Sequence, residues 1–273
     1  MIEFRGVDFS IDGNPILHGI SFRVARGRTK VILGPSGSGK STVLRLLLGL
    51  YLPDQGSIFV DSEDLTQVSP ARLREIRARM GMVFQQGALF DSMTVGENVG
   101  YALLEANGDE EEGVEGTVRH YLQLVGLDPD LLDRMPDQLS GGMQRRVAIA
   151  RALAARDPHF LLYDEPTTGL DPQSAERITD LIVHLRDAFG KTAIMVTHDI
   201  ADAFKVADDV TILERGRVVF DGTPAELARA ASPFISEFLA PFRKAIAAAQ
   251  QRFQAPPAGP AAPPIFPPEG GRA

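Results

Sequence analysis

Residues 29 to 50 read "TKVILGPSGSGKSTVLRLLLGL", an apolar run joined to an amphipathic run through a glycine-rich turn. The first run has the length and apolar content of a buried strand, and "STVLRLLLGL" has the apolar spacing of a helix. Between them, "GPSGSGKST" fits G-x-x-x-x-G-K-[ST], the pattern of a loop whose backbone N–H groups hold phosphate. A strand, a glycine loop and a helix in this order predict a phosphate site in an α/β protein.

Other apolar runs extend the same architecture. Buried strands are predicted at "GMVF" (81–84), "FLLYD" (160–164) and "TAIMV" (192–196), with helical segments between them. This alternation predicts the α/β class with a mainly parallel core sheet. The first 24 residues alternate around a turn at 12–14 and predict an antiparallel hairpin, whereas residues 94–156 predict a helical subdomain.

The chain divides by composition into three parts. Residues 1–225 are predicted to form the main domain, and residues 226–254 a helical extension with Phe234, Phe238 and Phe242 four apart. Pro241 should kink or divide that helix, whose aromatic stripe either packs on its own domain or contacts a partner. Residues 255–273 are proline-rich and are expected to be extended or disordered. The six acids of residues 105–115 are expected to form a solvated loop.

Composition excludes several classes of protein. The net charge of −8 over 273 residues argues against a broad nucleic-acid surface, and there is no cysteine for a disulfide or a thiolate metal site. No run reaches the 18 or so apolar residues of a membrane span, and the start of the chain lacks the pattern of a secretory signal. We expect a cytoplasmic protein whose membrane role, if any, comes through a partner.

Two segments predict phosphate chemistry. In the glycine loop, the N–H groups of residues 37–42 should turn onto phosphates, Lys40 should place its charge on the terminal phosphates and Ser41 should ligate magnesium. "FLLYDEP" ends a buried strand in two acids. Asp164 could hold the magnesium hydration shell beside the loop, and Glu165 could act as general base on an attacking water.

Three further segments have a functional and a structural interpretation. His198 follows a predicted strand and could donate to the transferring phosphate, or it could be structural. Gln85, after "MGMVF", could bind magnesium or orient water, or be an ordinary surface glutamine. In "LSGGMQRR" (139–146), Ser140, Gly141 and Gly142 open a helix either as a second anion cradle or only for packing.

The ordered set "GPSGSGKST", "VFQ", "LSGGMQRR", "FLLYDEPTTGLDP" and "VTHD" resembles the nucleotide-binding subunits of ATP-binding cassette (ABC) transporters across about residues 1–225. The resemblance implies an ATPase that uses ATP and Mg2+. It makes Gln85 the Q-loop residue, "LSGGM" the signature, Asp164 and Glu165 the Walker B pair, Asp171 the D-loop aspartate and His198 the switch histidine. The Walker A loop then comprises Gly34, Pro35, Ser36, Gly37, Ser38, Gly39, Lys40, Ser41 and Thr42.

The resemblance also implies partners. Two cassettes of this family pack head to tail, so that the signature of one chain closes over ATP held by the other, and the pair drives an integral membrane permease. A second copy of the chain and a permease, contacted around Gln85 and "GALFDSM" (87–93), are therefore expected. Family members stack adenine on an aromatic residue where this chain has Ile11, with Phe9 two positions earlier, so GTP remains an alternative substrate.

Two segments resemble one subgroup of the family. "GALFDSMTVGENV" (87–99) and "GTPAELARAASPFISEFL" (222–239) are similar to the Mla-type phospholipid transport ATPases of Gram-negative envelopes. This implies lipid trafficking at the cytoplasmic face of the inner membrane, with a membrane-anchored lipid-binding subunit as a further partner. An importer ATPase for a small polar solute is the alternative. A cassette protein acting on ribosomes or DNA is disfavoured, because the chain has one signature and no sustained heptads.

Overall fold

The computed structural model describes residues 1–107, 114–155, 157–230 and 232–240. The described residues separate into two compact units, Met1–Arg77 with residues 185–240, and Ala78–His184. The boundaries expected near residues 225 and 254 remain predictions. Residues 241–273, which include Pro241, Phe242 and the proline-rich segment, lie outside the described part, as do residues 108–113 of the acidic segment.

The strands within the described residues are β1 (Ile2–Ile11), β2 (Asn14–Val24), β3 (Thr29–Leu33), β4 (Gln55–Val60), β5 (Glu63–Asp64), β6 (Met80–Val83), β7 (Phe160–Asp164), β8 (Thr192–Thr197), β9 (Asp209–Glu214) and β10 (Arg217–Gly222). The α-helices are α1 (Lys40–Leu47), α2 (Pro70–Arg77), α3 (Val95–Asn107), α4 (Val114–Leu124), α5 (Gly141–Ala154), α6 (Pro172–Phe189), α7 (Ile200–Val206), α8 (Pro224–Leu227) and α9 (Pro233–Leu239).

The predicted hairpin at the start of the chain is confirmed. β1 and β2 pair antiparallel from Ile2 opposite Val24 to Ile11 opposite Asn14. The turn between them has positive φ at Asp12 and Gly13, as a two-residue hairpin turn with the twist of its strands requires. β4 and β5 extend this sheet in the order β2-β1-β4-β5. The sheet therefore has two strands that the sequence analysis did not find.

The first unit also contains the phosphate loop, carried by a mainly parallel group of strands. β3 lies between β8 and β9 and is parallel to both, and β10 pairs antiparallel with β9. All five residues of β3 are buried, because neighbours cover it on both sides and both faces. The predicted order of strand, glycine loop and helix is confirmed, with α1 beginning at Lys40.

The second unit combines a parallel strand pair with helices. β6 and β7 pair from Met80 opposite Phe160 to Val83 opposite Tyr163. The helices α3, α4 and α5 pack against one another. The described part of residues 94–156 contains no strand, which confirms the helical prediction there. Ten of the fourteen residues of α5 are buried, so this helix forms the core of the group.

The described residues end in the short helix α9. Its Ile235 and Leu239, one helical turn apart, are both buried, as expected for a helix that packs on its own chain. Phe238 is only partly buried, and the later members of the aromatic stripe are not among the described residues. Of the helices in the part of the chain that the structure describes, none has the length and apolar character needed to cross a bilayer.

Candidate functional site

The phosphate loop has a backbone that only glycine can supply at several positions. Gly37 and Gly39 have φ of 78° and 101°, which side chains disfavour. A Cβ at Gly39 would lie 2.6 Å from Leu17 Cδ2, and one at Gly34 would lie 2.3 Å from the Leu213 carbonyl oxygen. At Gly37, in contrast, a Cβ would meet nothing within 4 Å. The loop is packed closely at Gly34 and Gly39 and faces open space at Gly37, where a ligand can approach its backbone.

The polar groups of this loop fit a phosphate ligand. Lys40 is buried, and its Nζ donates to the carbonyl oxygens of Gly34 at 2.8 Å and Pro35 at 3.1 Å. Its charge is thereby fixed beside the loop backbone. Ser38 Oγ is buried and has no hydrogen-bond partner within the protein. A buried hydroxyl without a partner costs free energy, so a phosphate oxygen that accepts from it would recover that cost.

The start of α1 adds backbone donors to the same loop. Val43 N–H bonds to the carbonyl of Gly39 at 3.1 Å, as the first bond of the helix. The first N–H groups of a helix are not used by the helix's own hydrogen bonds, and the positive end of the helix dipole lies at the same end. Three features, the glycines, the lysine and the helix start, therefore favour an anion here.

Two carboxylates lie at the end of β7, as predicted. Asp164 is the last residue of the strand and Glu165 the first after it. Glu165 is buried and has φ of 48°, a left-handed conformation that costs a non-glycine residue about 1–3 kcal/mol. Its Oε2 accepts a hydrogen bond from Thr168 Oγ1 at 3.1 Å. The hydrogen bond from Thr168 restricts the orientation of the Glu165 carboxylate. A general base requires such a fixed orientation.

His198 lies at the same edge of the sheet as the start of the phosphate loop. β3 and β8 are parallel with Leu33 opposite Thr197. The next residues, Gly34 and His198, therefore both follow the carboxyl ends of these neighbouring strands. His198 is exposed. The phosphate loop and His198 thus follow neighbouring parallel strands, and contact of His198 with the phosphate remains a prediction.

Gln85 has the corresponding place in the second unit. β6 and β7 are parallel with Val83 opposite Tyr163. Asp164, the last residue of β7, and Gln85, two residues after β6, therefore both lie at the carboxyl ends of neighbouring strands. Gln85 is exposed in the turn after β6, where its amide is accessible to a ligand.

The serine and glycines of "LSGGM" begin the longest described helix of the helical group. Ser140 is the N-cap of α5, and its Oγ accepts from Met143 N–H at 3.3 Å. Ser140 and Gly141 are exposed, so the start of α5 is open to an anion from outside the unit. Gly142 is buried, and a Cβ there would lie 2.8 Å from Ser174 Oγ. Gly142 therefore has a packing role, whereas Ser140 and Gly141 form the accessible surface.

Asp171 is the residue before α6 and has a clear local role. Its Oδ1 accepts from Ser174 N–H at 3.0 Å, which caps the helix. Hydrogen bonds from Ser174 lower the pKa of this exposed carboxyl. Contact of Asp171 with nucleotide remains a prediction.

The two candidates for base packing differ in exposure. Phe9 is 6% exposed, and its ring stacks on Tyr51 with centroids 5.2 Å apart. Ile11, at the end of β1, is 36% exposed. The Phe9 ring is therefore largely covered by its own chain, and Ile11 is the more exposed of the two side chains. Contact of either residue with the nucleotide base remains a prediction.

Comparison with known proteins identifies the family. The family model described as ABC transporter matches residues 17–168. The chain is 39% identical over 239 residues to the intermembrane phospholipid transport system ATP-binding protein MlaF of Escherichia coli (strain K12), covering 88% of each chain. It belongs to the ABC transporter family. As an ABC transporter ATPase, it binds and hydrolyses ATP.

Importer ATPases are similarly close to this ABC ATPase in sequence. The Fe(3+) ions import ATP-binding protein FbpC of Escherichia coli O157:H7 is 40% identical, over 87% of this chain and 66% of that protein. The methionine import ATP-binding protein MetN of Myxococcus xanthus (strain DK1622) is 42% identical, over 83% of this chain and 69% of that protein. Identity alone therefore does not separate lipid transport from solute import.

Solved structures agree with the fold of the ABC ATPase. The ATP-binding cassette MJ0796, in a dimeric post-hydrolysis state bound to ADP and Pi, superposes with a TM-score of 0.73 at 33% identity, over 82% of this chain and 98% of that chain. The cbiO1 protein of Clostridium perfringens, part of the ABC transporter complex cbiONQ, has a TM-score of 0.76 at 30% identity, over 91% and 98%. The predicted fold class, including the antiparallel sheet and the helical group, is confirmed.

Two arginines of α5 bind the segment that follows β6. Arg145 Nη1 donates to the Phe84 carbonyl at 2.5 Å. Arg151 Nη1 and Nη2 donate to the carbonyls of Ala88 at 2.8 Å and Gly87 at 2.9 Å. Burial lowers the pKa of both guanidinium groups, although each stays charged because its usual pKa is so high. The helix that begins at the signature of this ABC ATPase therefore fixes the Q-loop segment through side-chain to backbone bonds.

A buried asparagine holds the other end of that segment. Asn98 Oδ1 accepts from Phe90 N–H at 2.8 Å, and its Nδ2 donates to the carbonyls of Phe90 and Met93, each at 3.1 Å. The Phe90 ring is 42% exposed and packs against Tyr101 with centroids 5.1 Å apart. Sequence reasoning did not find Asn98 or the two arginines, because backbone carbonyls as partners leave no pattern in a sequence.

Proposed function

We propose that two copies of this chain bind ATP between them and drive an integral membrane permease that moves phospholipid between membranes of the envelope. The observation that carries this proposal is the alignment with the phospholipid transport protein MlaF over 88% of both chains. A second candidate, import of a small polar solute, is supported by the comparable identity to FbpC and MetN. In both cases the chain works at the cytoplasmic face of the inner membrane.

The phosphates of ATP are placed in the loop of residues 34–42. The N–H groups of the loop and of the start of α1 bind the phosphate oxygens, Lys40 offsets their charge, and Ser38 Oγ gains its missing partner. Ile11 packs against the base. Since an aliphatic side chain offers no stacking ring, base selectivity is weak, and competition between ATP and GTP for binding measures it.

The residues also fit a magnesium ion bound together with the phosphates. Among the described residues no group of three or more His, Cys, Asp or Glu side chains is placed to hold a metal. Mg2+ needs no such cluster, because it is bound through one or two protein oxygens, water and substrate phosphates. We assign the Ser41 hydroxyl, the Asp164 carboxylate and the Gln85 amide to this role. When bound, the ion neutralises charge on the phosphate oxygens.

Hydrolysis requires a base and a group that stabilises the phosphate. Glu165 accepts a proton from the attacking water as the bond between the γ-phosphorus and the bridging oxygen breaks, releasing ADP and phosphate. Thr168 holds the Glu165 carboxylate in position. His198, exposed at the end of β8, donates to the transferring phosphate.

The second copy completes the site. Ser140 and Gly141 lie exposed at the N-terminus of α5, so they are available to the γ-phosphate bound by a facing subunit. The matched cassette MJ0796 is dimeric in a state bound to ADP and Pi. Asp171 is assigned to the same interface. ATP then links the two subunits, and its hydrolysis releases them.

The surface assigned to the permease consists of the exposed aromatic pair Phe90 and Tyr101, together with Met93, which is three residues after Phe90 in the sequence. Phe90 and Tyr101 are 42% and 37% exposed, which is high for large apolar side chains in contact with each other. Asn98 and Arg151 fix the backbone under this surface. A short cytoplasmic helix of the permease is the expected partner, and a membrane-anchored lipid-binding subunit completes the assembly.

Affinity purification of the tagged chain from membranes, with mass spectrometry of bound proteins and lipids, tests this proposal. Phospholipid and a membrane-anchored lipid-binding subunit should co-purify with a multi-span permease. A permease with a solute-binding protein and no enriched lipid would favour the importer. Phe90→Ala and Met93→Asp should weaken permease association with ATP binding intact. Phe189→Ala, which truncates another phenylalanine that is 48% exposed, is the matched control and should not.

A further inference from the structure

The turn between β9 and β10 lies against the phosphate loop. Arg215 and Gly216 form this turn, and their φ values of 46° and 74° are both left-handed, as in a tight two-residue hairpin. Its position is unusual because Gly216 contacts two other segments of the first unit.

Gly216 joins those two segments through its backbone. Its N–H donates to the Ser38 carbonyl of the phosphate loop at 3.2 Å, and its carbonyl accepts from His18 N–H at 2.9 Å. His18 lies in β2, which pairs with β1, the strand that ends at Ile11. One glycine therefore connects the phosphate loop with the hairpin that presents Ile11.

The junction has no space for a methyl group. A Cβ at Gly216 would lie 2.1 Å from the Ile16 carbonyl oxygen and 3.0 Å from His18 Cδ2. On the other side of the junction, a Cβ at Gly39 would lie 2.6 Å from Leu17 Cδ2. Since a backbone carbonyl cannot rotate away as a side chain can, any side chain at position 216 must move β2 or the phosphate loop.

We infer that Gly216 is a positioning residue for nucleotide binding, which sets the distance between the phosphate loop and the hairpin that carries Ile11. A nucleotide that binds through its base and its phosphates at once requires that distance to be fixed. The inference rests on the proposed placement of the ATP phosphates at residues 34–42 and does not depend on the transported substrate.

The test compares Gly216→Ala with Gly190→Ala. Gly190 also has positive φ, 61°, but a Cβ there would meet nothing within 4 Å, so this control carries similar backbone strain without the steric clash. Binding of ATP and of inorganic triphosphate is measured for each protein. Gly216→Ala should bind ATP at least about tenfold more weakly than the control, with KM raised more than kcat is lowered, and should lose less affinity for triphosphate, which has no base to place.

Equal ATP affinity in the two variants would overturn the inference, as would equal losses for ATP and triphosphate. Lys40→Met separates this failure from failure of the site itself. If Lys40→Met binds ATP normally, the placement of the phosphates is wrong. If it loses ATP binding while Gly216→Ala matches its control, only the role of Gly216 is wrong.

A measurement on the unmodified protein covers the case in which Gly216→Ala does not fold. ATP should slow hydrogen exchange at the amides of Gly216 and His18, which make the two bonds of the junction, and inorganic triphosphate should slow them less. Exchange at these amides that does not respond to ATP would contradict the inference.

Discussion

Replacing Arg151 with Met should loosen the segment that connects Gln85 to the proposed permease surface. Methionine keeps much of the length and apolar stem of arginine but has no donors. The variant therefore loses the bonds to the carbonyls of Gly87 and Ala88, and the guanidinium that lies 5.6 Å from the centre of the Phe90 ring. No other described contact of this segment changes directly, because Arg145 and Asn98 bind it elsewhere.

The size of the effect follows from the burial of these bonds. A hydrogen bond from a charged donor contributes about 1.5–3 kcal/mol when buried. The bond to Ala88 is exposed and the bond to Gly87 is only partly buried, so we count about one bond at the lower end, roughly 1.5 kcal/mol. Since 1.4 kcal/mol is a factor of ten in an equilibrium constant, local opening should become about tenfold more frequent.

Hydrogen exchange followed by mass spectrometry measures this opening. Amides of residues 87–90 should exchange about tenfold faster in Arg151→Met when local opening controls exchange. Association with the permease should also weaken, as is expected for Phe90→Ala. Arg146→Met is the control, because Arg146 lies in the same helix but donates to the Gly126 carbonyl at 2.6 Å. Unchanged exchange at 87–90, or a rise of the same size in the control, would refute the argument.

Three other predictions follow from the site and the sheet. Glu165→Gln should bind ATP, hydrolyse it about 10²–10⁴-fold more slowly and accumulate an ATP-bound dimer in light scattering with Mg-ATP. Adding Ser140→Arg should abolish that dimer, and a dimer that persists would exclude a role of Ser140 at the facing phosphate. Hydrogen bonds from Arg5 and then Arg23, opposed by burial, lower the pKa of Glu3 to about 2. The stability that this carboxylate contributes should be complete above about pH 4.5 and lost as the pH falls through about 2, so thermal unfolding of Glu3→Gln and wild type should converge below about pH 2.

Most of the buried strands are predicted well from the sequence, although β9, with four of its six residues buried, was not found. "FLLYD" coincides with β7, and "GMVF" differs from β6 by one residue at each end. A strand covered on both faces is a continuous apolar run, which is visible in a single sequence. β4 and β10 were missed because each has exposed residues and contains glycine and polar residues, so neither forms a continuous apolar run. Their pairing depends on distant partners that no local pattern reveals.

The residues of the site also divide into those that the sequence predicts and those that it does not. Lys40, Glu165 and Ser140 belong to short motifs whose spacing follows from one turn or one helix start, so each could be assigned locally. Asn98 and Arg151 could not, since they bind backbone carbonyls, which every residue has. The sequence also does not reveal the burial of Phe9: it lies two residues before Ile11 in the same strand, but only the fold shows that Tyr51 covers its ring.

Because α5 is largely buried, Arg145 and Arg151 can transmit a movement of this helix to the segment that they bind. A helix with ten of fourteen residues buried cannot shift alone, so it moves with its packed neighbours. Its first exposed residue, Ser140, is where the facing subunit's ATP is proposed to bind, and its Arg145 and Arg151 hold the backbone of residues 84–88. We therefore expect a displacement at the nucleotide to reach the permease surface through one rigid helix and a few side-chain bonds, with no refolding of the segment between them. Loss of Arg151 should then uncouple transport from hydrolysis more than it slows hydrolysis, which the ratio of the two rates in the membrane complex would measure.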